Sequence, residues 1–288
     1  MSRELDLGVF SGPVLVFGGP YGNLEATRAV LEIAWEAGIP ASRILCTGDV
    51  CAYCADPLET ADLVRQSGIV VVKGNCDENL GNRADGCGCG FGDGTACDTL
   101  SRQWYAYADA RLDDPARRWM RELPDTVAFR MAGRRFRVIH GGHGQINRFV
   151  YRSTPESDKG GDLDAGNCDA ILAGHSGLPF TQFIGDRLWH NAGVIGMPAN
   201  DGTPRTWVSL LTPESGGEIR IEPRALSYDH EAAARKMRAR GLPAGYADAL
   251  ETGLWPSLDN LPDVERSETG KALALEPLRW AGKAVVSA

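Results

Sequence analysis

Four polar residues stand where short apolar runs stop: Asp49 in Thr47-Gly48-Asp49, Asn75 in Gly74-Asn75-Cys76-Asp77, His140 in Ile139-His140-Gly141, and His175 in Gly174-His175-Ser176-Gly177. The runs include Arg43-Ile44-Leu45-Cys46, Ile69-Val70-Val71-Val72 and Ala170-Ile171-Leu172-Ala173. They have the length of buried strands bounded by glycine turns. A fold that releases oxygen and imidazole donors at the ends of successive strands can bring them to one divalent cation. Each residue also has an ordinary use: Asp49 capping a turn, Asn75 accommodating a tight loop, the two histidines hydrogen-bonded in a core.

The segments between the donors alternate in kind. Val14-Leu15-Val16-Phe17 is a compact strand ending at Gly18-Gly19-Pro20, and Leu24 to Ala37 has helical periodicity closing at Gly38. A helix over Pro57 to Gln66 separates the next two strands. Helical patterns follow over Leu100 to Ala110 and Pro115 to Leu123. Thr126 to Arg130 and Arg134 to Ile139 flank Ala132-Gly133 as a hairpin, Phe180 to Ile184 and Leu188 to Asn191 flank Gly185-Asp186, and Trp207 to Leu211 pairs with Glu218 to Ile221. Asp229 to Arg240 is a polar helix, and the tail from Gly241 is expected to wrap the surface or fray. The repeated strand, glycine turn and helix predicts a layered α/β fold with its site on the loop side.

With 288 residues, 43% of them hydrophobic, the chain can bury a full core without metals or disulfides. A formal charge of -8 weighs against nucleic acid, although a local pocket can still hold a phosphate. No stretch approaches a membrane span, and Met1 to Asp6 lacks a signal-peptide pattern, so a cytoplasmic location is expected and the eight cysteines read as thiols.

The order of motifs resembles the calcineurin-like metallophosphoesterases, the small bacterial phosphodiesterase and phosphatase branch in particular. Gly22-Asn23-Leu24-Glu25-Ala26, Gly48-Asp49, Tyr53, Asp56-Pro57, Gly74-Asn75, Asp77, His140-Gly141, Gly174-His175 and Asn191-x-Gly193 fall in the family's sequence over roughly residues 12 to 212. The resemblance implies a β-sandwich flanked by helices, with Asp49, Asn75, His140 and His175 as the protein ligands of one metal. It implies a degenerate second half-site as well. The family's Asp-x-His pair and the last histidine of its Gly-His-x-His are Gly19, Tyr21 and Gly177 here, and its Gly-Asn-His histidine is Cys76. Glycine offers no ligand and a neutral tyrosine is a poor one.

The cysteines admit further readings. Cys87-Gly88-Cys89 and Cys97, with Cys76 as a fourth, can place thiolates around a structural Zn²⁺. Cys51 and Cys54 form one Cys-x-x-Cys step open to redox exchange, to an extra ligand near the first metal site or to an ordinary loop role, while Cys46 and Cys168 adjoin apolar runs. Trp104, Tyr105 and Tyr107 can either contact substrate or pack a helix.

Residues 12–225 are therefore expected to form a metallophosphoesterase-like domain with a cysteine-rich insert at 81–100, and 226–288 a C-terminal helix and surface extension. The expected centre holds one Mn²⁺, Fe²⁺ or Zn²⁺ and acts on a small phosphorylated molecule or phosphate ester. Gly18 and Gly19 offer backbone N–H groups to its phosphate, Arg148 stabilises developing charge, and Cys76 or His143 serves as proton donor. The alternatives are a phosphate- or nucleotide-binding sensor with little turnover, and an inactive structural protein. A homo-oligomer is left open.

Overall fold

A computed structural model describes residues 3–281. In chain order the elements are β1 (Glu4–Phe10), β2 (Val14–Phe17), α1 (Leu24–Glu36), β3 (Ile44–Cys46), α2 (Pro57–Ser67), β4 (Val70–Val71), α3 (Asn75–Asn82), α4 (Ala96–Asp109) and α5 (Asp114–Glu122). Then come β5 (Thr126–Met131), β6 (Arg134–Val138), α6 (Glu156–Ala165), β7 (Ala170–Ala173), β8 (Phe180–Ile184), β9 (Arg187–Asn191), β10 (Thr206–Pro213), β11 (Ile219–Leu226), α7 (His230–Ala239), α8 (Ala244–Thr252), α9 (Asp263–Ser267) and β12 (Leu278–Trp280). The strands form two mixed sheets of six, ordered β1-β5-β6-β7-β9-β8 and β12-β11-β10-β2-β3-β4.

Alternation along the strands makes the layers. Val14 and Val16 of β2 join Val127, Phe129, Val138, Ala170 and Leu172 of the other sheet in a core between the sheets. Leu15 and Phe17, one residue out of step, face the opposite way into a core with Ala26, Val30, Val64, Trp104 and Met237 from the helices. The first sheet repeats the pattern. Ile171 and Ala173 of β7 turn outward and pack with Leu163 of α6. Two sheets face to face, each covered outside by helices, is the α/β sandwich expected.

Strand direction then gathers the donors. β2, β3 and β4 run parallel to one another, as do β6, β7 and β9. The loops that carry Asp49, Asn75, His140 and His175 therefore leave their sheets on one edge. A bridge between Gly18 and Val194, with the Gly18 N–H donating to Gly193 O at 2.9 Å, ties the two sheets together there.

The fold also takes in residues outside 12–225. β1 pairs parallel with β5, and β12 adds to β11. The tail does wrap the molecule, but as structure: α8 buries Tyr246 and Leu250 in the helix-side core. Among the described residues, no helix is long and apolar enough to cross a membrane.

Candidate metal centre

Two loops meet at unusually close range to build the centre. Gly48 has a positive φ of 99°, and a Cβ there would come within 2.6 Å of Gly74 N. A Cβ on Gly74 would in turn lie 2.2 Å from Asp49 Oδ1. Only glycines allow this approach, and it lets the first turn of α3 hold the aspartate: Cys76 N–H donates to Asp49 Oδ1 at 2.9 Å. Asp77, fully buried, locks both loops by accepting from Asp49 N, Val50 N and Gly74 N at 2.8–2.9 Å. Burial first, and then the Asp49 carboxylate, push Asp77 up to about 6.

His140 Nε2 is the hub. It lies 3.0 Å from Asn75 Oδ1, 3.1 Å from His175 Nδ1 and 3.2 Å from Asp49 Oδ2. Its other nitrogen, Nδ1, is 2.6 Å from Thr47 O and must donate to that carbonyl. In the neutral ring Nε2 therefore presents a lone pair to the lone pairs of Asn75 and Asp49. Such a cluster is satisfied either by a proton on Nε2 or by a cation at its centre. Asn75 is oriented for this, since its Nδ2 donates to Cys87 O at 3.0 Å and leaves Oδ1 facing inward. Among the described residues, Asp49, His140 and His175 form the one group of acidic, histidine or cysteine ligands close enough to share an ion.

The electrostatics agree with an unshielded ligand set. Burial raises the Asp49 carboxyl, but the facing His140, by its charge and its hydrogen bond, outweighs this and holds it below its ordinary value. Burial lowers His140, and the Asp49 carboxylate more than reverses this. His175 drops to about 3 through burial and the neighbouring His140, so it is a neutral imidazole. Asp49 and His175 both have positive φ, 59° and 60°. Backbone strain of this kind persists where surrounding contacts impose it. Around His175 these include Asn191 Nδ2, which donates to Gly174 O and Ser176 Oγ at 2.9 and 3.0 Å.

Aromatic rings stand beside Gly19 and Gly177, two of the positions that the resemblance expects to lack a ligand. A Cβ at Gly19 would lie 2.5 Å from the Tyr21 ring, and one at Gly177 would lie 3.3 Å from the Trp255 ring. Tyr21 packs edge-on against Tyr53 at 4.8 Å. Burial, and then Asp49, raise the Tyr21 phenol well above its ordinary value, so it stays neutral.

The other expected participants are placed differently. Cys76 is buried in the helix-side core, its thiol pushed well up by burial and then by Asp49, and it does not line the cavity above the centre. Arg148 is paired with Asp162, whose carboxylate also accepts from the His143 backbone, and neither Arg148 nor His143 lines that cavity. The Gly18 N–H is already bonded to Gly193 O, and the carbonyls of Gly18 and Gly19 accept from Ile195 and Gly196. Trp104, Tyr105 and Tyr107 pack their helix, with the two phenols donating to Ala84 O and Ala55 O.

The grouping of Cys76, Cys87, Cys89 and Cys97 as zinc thiolates is corrected. Cys87 and Cys89 are joined in a disulfide, while Cys76 and Cys97 are free and buried. Gly88, at a φ of 67°, turns the one-residue step so that its flanking sulfurs meet each other rather than a shared ion. Cys51 and Cys54 are also free, with sulfurs against Pro57 O and Gly196 O.

Sequence reasoning gave Trp255, Phe149, Phe91 and Met197 no role, yet all line the cavity over Asp49 and His175. Cys89, Phe91 and Cys97 bring the cysteine-rich insert to its wall, and Trp255 to Asn260 bring the tail.

A sequence profile described as the calcineurin-like phosphoesterase superfamily domain matches residues 21–215. A protein of Methanocaldococcus jannaschii described as uncharacterized is 24% identical over 259 residues, 83% of this chain and 98% of that protein. A metallophosphoesterase from Sphaerobacter thermophilus superposes with a TM-score of 0.64 at 20% identity, over 85% of this chain and 100% of its own. A hypothetical protein from Pyrococcus horikoshii gives 0.68 at 18%, over 84% and 99%.

Proposed function

Since the chain belongs to the calcineurin-like phosphoesterase superfamily, we propose that Asp49, Asn75, His140 and His175 hold one divalent cation and that this centre binds and slowly hydrolyses a phosphate mono- or diester. The observation that carries the reading is the convergence of donors on His140 Nε2 at 3.0–3.2 Å, a geometry with lone pairs facing one another. The donors are one carboxylate, one amide oxygen and two imidazoles, a set suited to Mn²⁺, Fe²⁺ or Zn²⁺. When bound, such a cation supplies Lewis acidity toward a phosphoryl oxygen and toward water.

The chain's own contribution is preorganisation. Thr47 O fixes the His140 tautomer, the Cys76 N–H aims Asp49, and Asp77 holds the two ligand loops together. Burial of the ligands keeps bulk water from competing for them. With rings at the second half-site, there is no second cation to share the charge of a transition state, and turnover is correspondingly weak. The same rings support a second reading, a sensor that binds a phosphorylated ligand without turnover.

The test is to load the protein separately with Mn²⁺, Fe²⁺ and Zn²⁺, measure metal content, and assay phosphate mono- and diesters with Asp49→Ala as the contamination control. The expected result is one ion per chain and slow hydrolysis that Asp49→Ala abolishes. Turnover matching a two-metal enzyme would refute the weakened centre. Saturable binding of a phosphorylated ligand with no hydrolysis would select the sensor.

A further inference from the structure

The cavity over the centre has a composition that restricts what can lie in it. Its walls carry the rings of Tyr21, Tyr53, Phe91, Phe149, Tyr246 and Trp255. The ionisable groups among them that belong to the centre are Asp49 and His175, and among the described residues no lysine or arginine lines the cavity. A ligand with several phosphates in series needs charge-neutralising partners for each, and beside the single metal position these walls offer only the neutral polar groups of Ser176, Ser257 and Asn260.

The rings are held, not loose. Phe149 lies over the His175 ring with centroids 4.2 Å apart, and it stacks with Phe91 at 6.0 Å and Tyr151 at 5.9 Å. Trp255 is only partly buried, but its indole N–H donates to Pro198 O at 2.7 Å and its backbone N–H to Asn200 Oδ1 at 2.9 Å. A pinned indole with an accessible face next to the centre is a stacking platform.

We propose that the ligand is an ester of one phosphoryl group with a flat, uncharged aromatic group, and that Trp255, a residue of the C-terminal segment, determines this preference. The proposal rests on the phosphoester reading above and names its substrate class. The phosphoryl group takes the position over Asp49 and His175. The aromatic arm lies among the rings, where its burial adds apolar contact in proportion to the area removed from water.

The test is calorimetric and needs no turnover. The full chain, loaded with Mn²⁺ and checked for metal content, is titrated with methylphosphonate, cyclohexylphosphonate and phenylphosphonate, and with AMP and ADP. Phenylphosphonate should bind about tenfold more tightly than methylphosphonate and more tightly than the cyclohexyl compound, and ADP should gain nothing over AMP. Trp255→Ala should bring the phenyl-to-methyl ratio close to one, Trp255→Phe should restore most of it, and both variants should keep the metal content and circular dichroism of the parent. Metal-dependent binding of the phosphonates with a ratio near one in the parent, or an undiminished ratio in Trp255→Ala, overturns the ligand class alone. Tighter binding of ADP than AMP overturns it too. If none of the three phosphonates binds in a metal-dependent way, the phosphoester reading falls and this proposal with it.

Discussion

Removing and restoring the cation at the Asp49 cluster is the most searching perturbation, because the apo and metal-bound states satisfy His140 Nε2 in different ways. Three donor atoms stand 3.0–3.2 Å from that nitrogen. Without a cation, only a proton can reconcile them. A cation present at a hundred times its dissociation constant stabilises the folded state by about 2.7 kcal/mol. For a chain of this size, about 2–4 °C of melting temperature accompanies each kcal/mol, so the midpoint should rise by about 5–10 °C over the chelated protein. His140→Ala should abolish that rise. It should also lower the midpoint of the chelated protein, because loss of one partner of a buried pair costs about 3 kcal/mol. Thermal melts with and without chelator, run beside elemental analysis and circular dichroism, read all of this. A full metal-dependent rise in the folded His140→Ala variant would refute the ligand assignment. Two ions about 3.5–4 Å apart in an anomalous-scattering map would instead refute the single-ion centre.

Asp77→Ala strands three buried N–H donors, those of Asp49, Val50 and Gly74; after relief of the buried carboxylate, a net loss of about 3 kcal/mol is expected, with weaker metal binding, and a urea midpoint within error of the parent would contradict it. His190, buried with Nδ1 2.9 Å from Thr181 Oγ1, is lowered by burial to about 4. Its depressed value means the unfolded chain binds the extra proton, so stability should fall as pH drops from 6.5 toward 4, by about 3 kcal/mol from this group. His190→Gln should flatten that part of the pH profile of urea unfolding, and an unchanged slope would show that the acid sensitivity originates elsewhere.

Much of this architecture is legible in the chain because local periodicity and tertiary burial agree. Val14 to Phe17 and Ala170 to Ala173 read as strands buried on both faces, and they are. The donors at Asp49, His140 and His175 are legible for the same reason, each directly following a strand. β1 is less so: an exposed edge strand carries Glu4 and Asp6, and its partner β5 lies more than a hundred residues away. α6 contains Gly160-Gly161 and a buried Lys159, whose Nζ is satisfied by Arg152 O and Thr154 O, so neither propensity nor hydrophobic pattern marks it. The roles of Tyr21 and Trp255 depend on where remote segments cross, which no local pattern encodes. The cysteine step Cys87-Gly88-Cys89 reads as metal thiolates in the sequence, and nothing in its spacing shows that its two sulfurs bond to each other instead.

The rings beside Gly19 and Gly177 have a consequence for mutational descent. An aspartate placed at position 19 would start 2.5 Å from the Tyr21 ring, so it needs the side chain at position 21 to move or change. A histidine at position 21 alone would have no neighbouring ligand to share an ion with. A histidine at position 177 would have to adopt the left-handed backbone that Gly177 holds, with a φ of 76°, while pushing into the indole of Trp255. Each single step toward a two-ion centre is thus unfavourable before any metal can reward it. A second metal position is therefore several coupled changes away from this chain, whereas the aromatic cavity can vary one side chain at a time.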